Sequence, residues 1–166
     1  MDARREREPS PTRHVTVERT SERELVVTRT FDAPARLVFE AWTRAELFKQ
    51  WWLPKSMGMT LRSIEMDVRT GGRYRLGFGD GVDFFGRYLE VTPPARLVWT
   101  NEESGDAGPV TTVTFEERNG KTLLVLHELY PSKEALDAAG TGAADAMGET
   151  FQQLDELLAR TWDFEG

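Results

Sequence analysis

The chain has 166 residues, 39% hydrophobic and 30% charged, with nine Phe, five Trp and three Tyr, enough apolar mass for one packed domain and too much for wholesale disorder. Its 21 Lys and Arg against 28 Asp and Glu leave a formal charge of -7, which repels nucleic-acid phosphates and anionic lipid headgroups and argues against both as partners. With no cysteine and only His14 and His127, far apart, disulfides, thiolate nucleophiles and zinc–thiolate sites are excluded, little imidazole is left for a metal cluster, and no cofactor is expected.

Residues 1–12 mix Arg4, Arg5, Arg7, Glu6 and Glu8 with Pro9 and Pro11 and contain no apolar run. They read as a solvated, disordered tail, with the domain expected over 13–160 and a short tail over 161–166. A secretory signal needs about 7 to 15 apolar residues and a spanning helix about 20. The sequence has neither stretch, so a cytoplasmic protein without membrane insertion is expected.

Leu25, Val27 and Phe31 alternate with Glu24, Thr28 and Thr30, which predicts a strand over 24–31, with Val15 and Val17 either extending it or forming an edge piece. Asp32 is the expected cap of a helix that has Pro34 near its first turn and carries Leu37, Val38, Ala41 and Trp42 to about Thr43. A second short helix over 45–52 places Leu47, Phe48, Trp51 and Trp52 before Pro54 stops it. Beyond Pro54, β-branched and aromatic residues broken by glycine predict hairpin-linked strands near 57–67, 72–78, 82–91, 96–101, 110–117 and 121–129. Asn119-Gly120 is the strongest of the turn signals between them. Ser132 then caps a helix through Ala139, Gly140-Thr141-Gly142 breaks it, and Met147, Phe151, Leu154 and Leu158 stripe one face of a last helix ending near Arg160. The class is α+β: a curved antiparallel sheet of about seven strands wrapped around the long C-terminal helix, with two short helices after the first strand.

This order resembles the helix-grip fold of the START-like or SRPBCC superfamily, and within it the branch named after the activator of the ninety-kilodalton heat-shock-protein ATPase. The residues that carry the likeness are Phe31-Asp32-Ala33-Pro34, Ala41-Trp42-Thr43, Trp51-Trp52 with Pro54, Gly71-Gly72, Pro93 to Thr100, Tyr130 to Ala135 and Leu154 to Leu158. They span about Leu25 to Ala159. The motifs are specific for fold and weak for activity, because the superfamily holds carriers, cyclases, hydroxylase domains, allergens and co-chaperones on one scaffold. Many relatives have a bulky apolar residue after the glycine early in the long helix, where this chain has Gly148-Glu149.

A sheet gripping a helix commonly leaves a cavity, and aromatic walls suit a flat apolar ligand. Trp52, Tyr74, Phe78, Phe84, Tyr88, Trp99, His127, Met147 and Phe151 are its expected lining, against the alternative that the same rings fill the core. Alternation turns Tyr74, Leu76 and Phe78 inward, whereas on the next strand Phe84, Gly86, Tyr88 and Glu90 oppose Phe85, Arg87, Leu89 and Val91, and parity alone does not choose unless a bulge intervenes. His127 reads either as an acid or base on an apolar face or as a core histidine, and Glu90 and Asp83 either approach the cavity mouth or lie on a solvated edge. Arg73, Arg75 and Arg87 form either a carboxylate-binding patch or surface ion pairs.

The leading expectation is a binding protein for a small hydrophobic or aromatic molecule, monomeric or weakly dimeric. The alternative is a cyclase, dehydratase or hydrolase acting on an aromatic or polyketide-like substrate, with His127 or Glu90 as acid or base and Tyr74 as an orienting donor. Two titratable groups meeting inside the pocket would favour the enzyme. A co-chaperone role, implied by the branch name alone, ranks third.

Overall fold

Alternation settles the first long strand. In β2 (Glu24–Phe31), Leu25, Val27, Arg29 and Phe31 are buried and the residues between them are half-exposed. The computed structural model describes residues 15–58, 60–78, 83–103, 105, 108–140 and 142–165, without the side chains of 57, 142–146 and 161–165. The tail expected over 1–12, His14 and the turn at Gly79-Asp80-Gly81 lie outside the described residues.

Eight antiparallel strands form one sheet in the order β1-β2-β8-β7-β6-β5-β4-β3. They are β1 (Thr16–Arg19), β2, β3 (Ser63–Met66), β4 (Arg73–Gly77), β5 (Asp83–Thr92), β6 (Arg96–Thr100), β7 (Val110–Arg118) and β8 (Lys121–Leu129). The sheet exceeds the expected seven because Thr16–Arg19 pairs with β2 as a separate edge strand. Asn119 and Gly120 turn from β7 into β8 with φ of 55° and 79°, the two positive angles of a tight hairpin.

The helices are α1 (Ala35–Thr43), α2 (Ala45–Trp51), α3 (Lys133–Ala139) and α4 (Gly142–Glu165). Asp32 does not cap α1. Pro34 occupies the cap position without a side-chain bond, and the carboxylate of Glu117, at the far end of β7, accepts the Ala35 N–H at 2.9 Å. A distant acid thus serves the free N–H groups of the first turn. Ser132 caps α3 as expected, accepting from the Ala135 N–H at 3.0 Å. α4 continues past the expected Arg160 because no proline or glycine follows Gly148 until Gly166.

Phe151, Leu154, Leu157 and Leu158 bury one face of α4, while Met147 at its start is half-buried. Phe151 meets Phe31 of β2 edge to face, with ring centres 5.6 Å apart. Trp42 on α1 fills the space between layers, with ring centres of Trp51 at 4.9 Å, Trp99 at 5.8 Å, Phe115 at 6.2 Å and Phe151 at 6.3 Å. Among the described residues no helix is long and apolar enough to cross a membrane.

Leu154 is fully buried at the centre of this contact. Leu154→Ala should lower unfolding free energy by about 2 to 5 kcal/mol in a urea titration. An unchanged midpoint would mean that α4 does not pack as described.

Candidate functional site

The helices do not fill the concave face of the sheet. Between them lies a cavity of about 870 Å³. Trp42, Phe48, Trp51, Trp52, Leu53 and Pro54 make one wall, and Ala135, Ala138 and Ala139 of α3 with Met147, Thr150 and Phe151 of α4 make another. The floor is Met66, Tyr74, Leu76, Phe84, Tyr88, Leu97, Trp99 and Leu126. Polar side chains gather at one end: Asn101, Glu103, Thr111, Glu128 and Tyr130.

Strand register explains that gathering. Tyr88, Trp99, Thr111 and Glu128 are successive cross-strand partners from β5 to β8, so they form one transverse row on the inner face. Asn101 Nδ2 donates to Pro109 O at 2.9 Å and to Thr111 Oγ1 at 2.8 Å. Thr111 Oγ1 donates in turn to Glu128 Oε2 at 3.5 Å, and the Tyr130 hydroxyl donates to Glu128 Oε1 at 3.2 Å. Burial pushes the Glu128 carboxyl above the usual carboxylate range, against the opposing pull of those two donors. Burial, reinforced by the nearby charge of Glu103, likewise raises Tyr74.

Tyr74 reaches this end because of a glycine. It stands opposite Gly86 in the ladder, and its hydroxyl donates to Thr100 O at 2.7 Å. A Cβ at position 86 would collide with that same Thr100 carbonyl, so the close approach of β5 and β6 requires glycine.

The segment after α2 is tied to α4 by one amide. Gln153 Nε2 donates to Trp51 O and Leu53 O, both at 2.8 Å, and its Oε1 accepts from Lys55 N at 2.9 Å. Carbonyls left open at the end of α2 are thereby satisfied in a buried place. Glu149 adds an exposed clasp, accepting from Ser56 N at 3.0 Å and from the Ser56 hydroxyl. Those two donors hold the Glu149 carboxyl below its usual range.

Of the expected lining residues, the structure gathers Trp52, Tyr74, Phe84, Tyr88, Trp99, Met147 and Phe151 around the cavity. Phe78 is buried one layer behind, stacked on Trp52 with ring centres 6.5 Å apart. His127 and Glu90 lie on the opposite face. They belong to one outer row, Glu90, Val98, Thr112 and His127, running from β5 to β8. His127 Nε2 is 2.9 Å from Glu24 Oε2. Glu90 accepts from Thr92 Oγ1 at 2.8 Å and Arg96 Nε at 3.1 Å. The ladder slips between Tyr88 and Glu90, and this bulge sends Glu90 outward while Val91 packs inward. Asp83 pairs with Arg75 at 2.6 Å and Glu102 with Arg87 at 2.9 Å, so these two arginines serve the outer surface. Sequence reasoning missed Glu128. Its only signal was parity: a carboxylate continuing the Leu124 and Leu126 face of β8. Among the described residues no cluster of three or more His, Asp or Glu is placed to hold a metal ion.

The family model for Activator of Hsp90 ATPase homolog 1-like protein matches residues 32–159. Similar solved structures include a Rhodobacter sphaeroides protein, 25% identical over 88% of this chain and 98% of its own, with a TM-score of 0.77. One from Staphylococcus epidermidis is 26% identical, covering 88% and 94%, with a TM-score of 0.71. Protein NE0264 from Nitrosomonas europaea shares the fold at 23% identity, covering 87% and 99%, with a TM-score of 0.73. No curated protein matches the chain.

Two outcomes follow from this geometry. Gln153→Ala strands two carbonyls and an N–H, and should cost about 1 to 3 kcal/mol in a denaturant titration. Glu128 keeps its proton to higher pH in the folded chain than at its ordinary value of 4.5, so the folded state binds more protons and its stability falls as pH rises above that value. Glu128→Gln removes this loss. The unfolding free energy of the variant minus that of the wild type should therefore grow in the variant's favour between pH 4.5 and about pH 7. A difference independent of pH would contradict the raised carboxyl.

Proposed function

Because the chain belongs to the family of Activator of Hsp90 ATPase homolog 1-like proteins, we propose that it binds a small hydrophobic or aromatic molecule between the sheet and α4. The observation that carries this reading is the cavity of about 870 Å³, walled by Trp, Phe and Tyr rings. A space of this size is in the range of small-molecule sites, and rings supply large apolar contact with little loss of side-chain freedom. Tryptophans at positions 42, 51, 52 and 99 all touch it, so occupancy should perturb indole emission.

One observation favours a second reading, an acid–base enzyme acting on such a molecule. Two titratable groups do meet inside the cavity, Glu128 and Tyr130 at 3.2 Å, and a carboxyl kept protonated to higher pH suits general acid work. In that reading the acid is Glu128, and neither His127 nor Glu90 takes part.

Titration with a panel of flavonoids, polyketide-like aromatics and fatty acids, followed by tryptophan emission, tests the binding reading. Saturable change at micromolar concentration with at least one aromatic is expected, and no response from any member would count against it. Recovery of the ligand unchanged after prolonged incubation separates carrier from enzyme. His127→Gln, altering only the outer face, should leave the titration as it is.

A further inference from the structure

Resting on the binding reading, we propose that the cavity selects aromatic molecules bearing one hydrogen-bond-donating head, an amine or a hydroxyl, and rejects carboxylic acids, with Glu128 as the acceptor that reads the head.

Among the described residues the lining contains two carboxylates, Glu103 and Glu128, and no Lys, Arg or His. An acid entering this space meets the charge of Glu103, and that of Glu128 once its carboxyl has ionised, without a cation in the described lining to offset it. Buried Arg29 is on the same face of the sheet but is not part of the lining, and its guanidinium lies 3.6 Å from Asp155 on α4. Arg75 and Arg87 are engaged by Asp83 and Glu102 at the outer surface.

Hydrogen-bond direction leads to the same end. Asn101 Nδ2 faces the Pro109 carbonyl, which only accepts, so the amide orientation is fixed and Thr111 Oγ1 must accept from it. The single Thr111 proton then points to Glu128, as does the Tyr130 proton. The Tyr74 proton is committed to Thr100 O. Each of these donors is spent within the protein, and the chain of bonds terminates on an acceptor. A carboxylate offers about four acceptor positions, and these two bonds leave some of them for a ligand. Tyr88 also lines the cavity, yet a hydroxyl donates and accepts alike and does not discriminate. The surrounding rings favour a cationic head further through their π faces.

The test uses three probes on one skeleton: 1-pyrenemethylamine, 1-pyrenemethanol and 1-pyrenecarboxylic acid. Each is titrated into the full chain near neutral pH, with energy transfer from tryptophan to pyrene as the readout. The amine and the alcohol should bind at least about tenfold more tightly than the acid, the ratio that a difference of 1.4 kcal/mol produces. Glu128→Gln should reduce the preference of amine over acid by about threefold or more, chiefly by tightening the acid. Equal affinities for the three, or tightest binding of the acid, would overturn the selectivity while leaving the cavity reading in place. A preference unchanged in Glu128→Gln would overturn the role of Glu128. Failure of all three to bind would overturn both readings. The wild-type ranking stands without the variant, so a poorly folding variant does not shield the proposal.

Discussion

The geometry of the cavity depends on one buried amide. Gln153 satisfies two carbonyls and one N–H of the segment after α2, and this fixes Trp52, Leu53 and Pro54 as a wall rather than a loop. Without it the segment would have to solvate those groups, and water would enter beside Trp51, which is fully buried. The same helix turn presents Phe151 to Phe31 and Trp42. Docking of α4 and formation of the cavity wall are therefore one event. Glu149, exposed and one turn earlier, holds the neighbouring Ser56. The contact there is polar, and the wall keeps its place.

How much of this the sequence discloses varies with the physics of each element. Hairpins are local, so Asn119-Gly120 announces its turn, and β8 runs over Lys121–Leu129 as its apolar pattern predicts. The stripe of Phe151, Leu154 and Leu158 is equally legible, because a long amphipathic helix has one way to bury its face. The Glu117 cap on α1 is not legible, since its two partners are 82 residues apart, about half the length of the chain. Nor is the exposure of Glu90, which depends on a one-residue slip in the pairing of β5 with β6.

His127 and Glu128 show the same limit at the site itself. Both faces of β8 are apolar, Leu123 and Val125 on one and Leu124 and Leu126 on the other. Period-two alternation therefore states that neighbours point apart without stating which face is the inside. Burial decides it: Leu124 and Leu126 are within the core, and Leu123 and Val125 are only half-covered. A histidine among apolar neighbours looks like the functional group, and a glutamate beside it looks like a solvated one. In the structure it is the glutamate that lies on the cavity side, because the inner row continues from Trp99 through Thr111 to Glu128.

That inversion accords with how the fold divides its work. On the β2 and β8 side, the core closes around Phe31, Leu124, Phe151 and Leu154, each almost wholly shielded from solvent, and this dry contact supplies the stability. Toward β4, β5 and β6 the cavity lies between the sheet and the helices. The sheet there carries a glycine at position 86 that admits Tyr74, a bulge after Tyr88, and rings that are only partly buried at Tyr74, Phe84 and Trp99. An acceptor such as Glu128 would weaken the first region, where nothing could solvate it. At the border of the second it is held by Thr111 and Tyr130, and its remaining lone pairs face space that a ligand can enter. The half-satisfied carboxyl and the open volume thus lie beside the rings of Tyr74, Phe84, Trp99 and Phe151, while Leu154 and Leu158 of α4 stay wholly within the core.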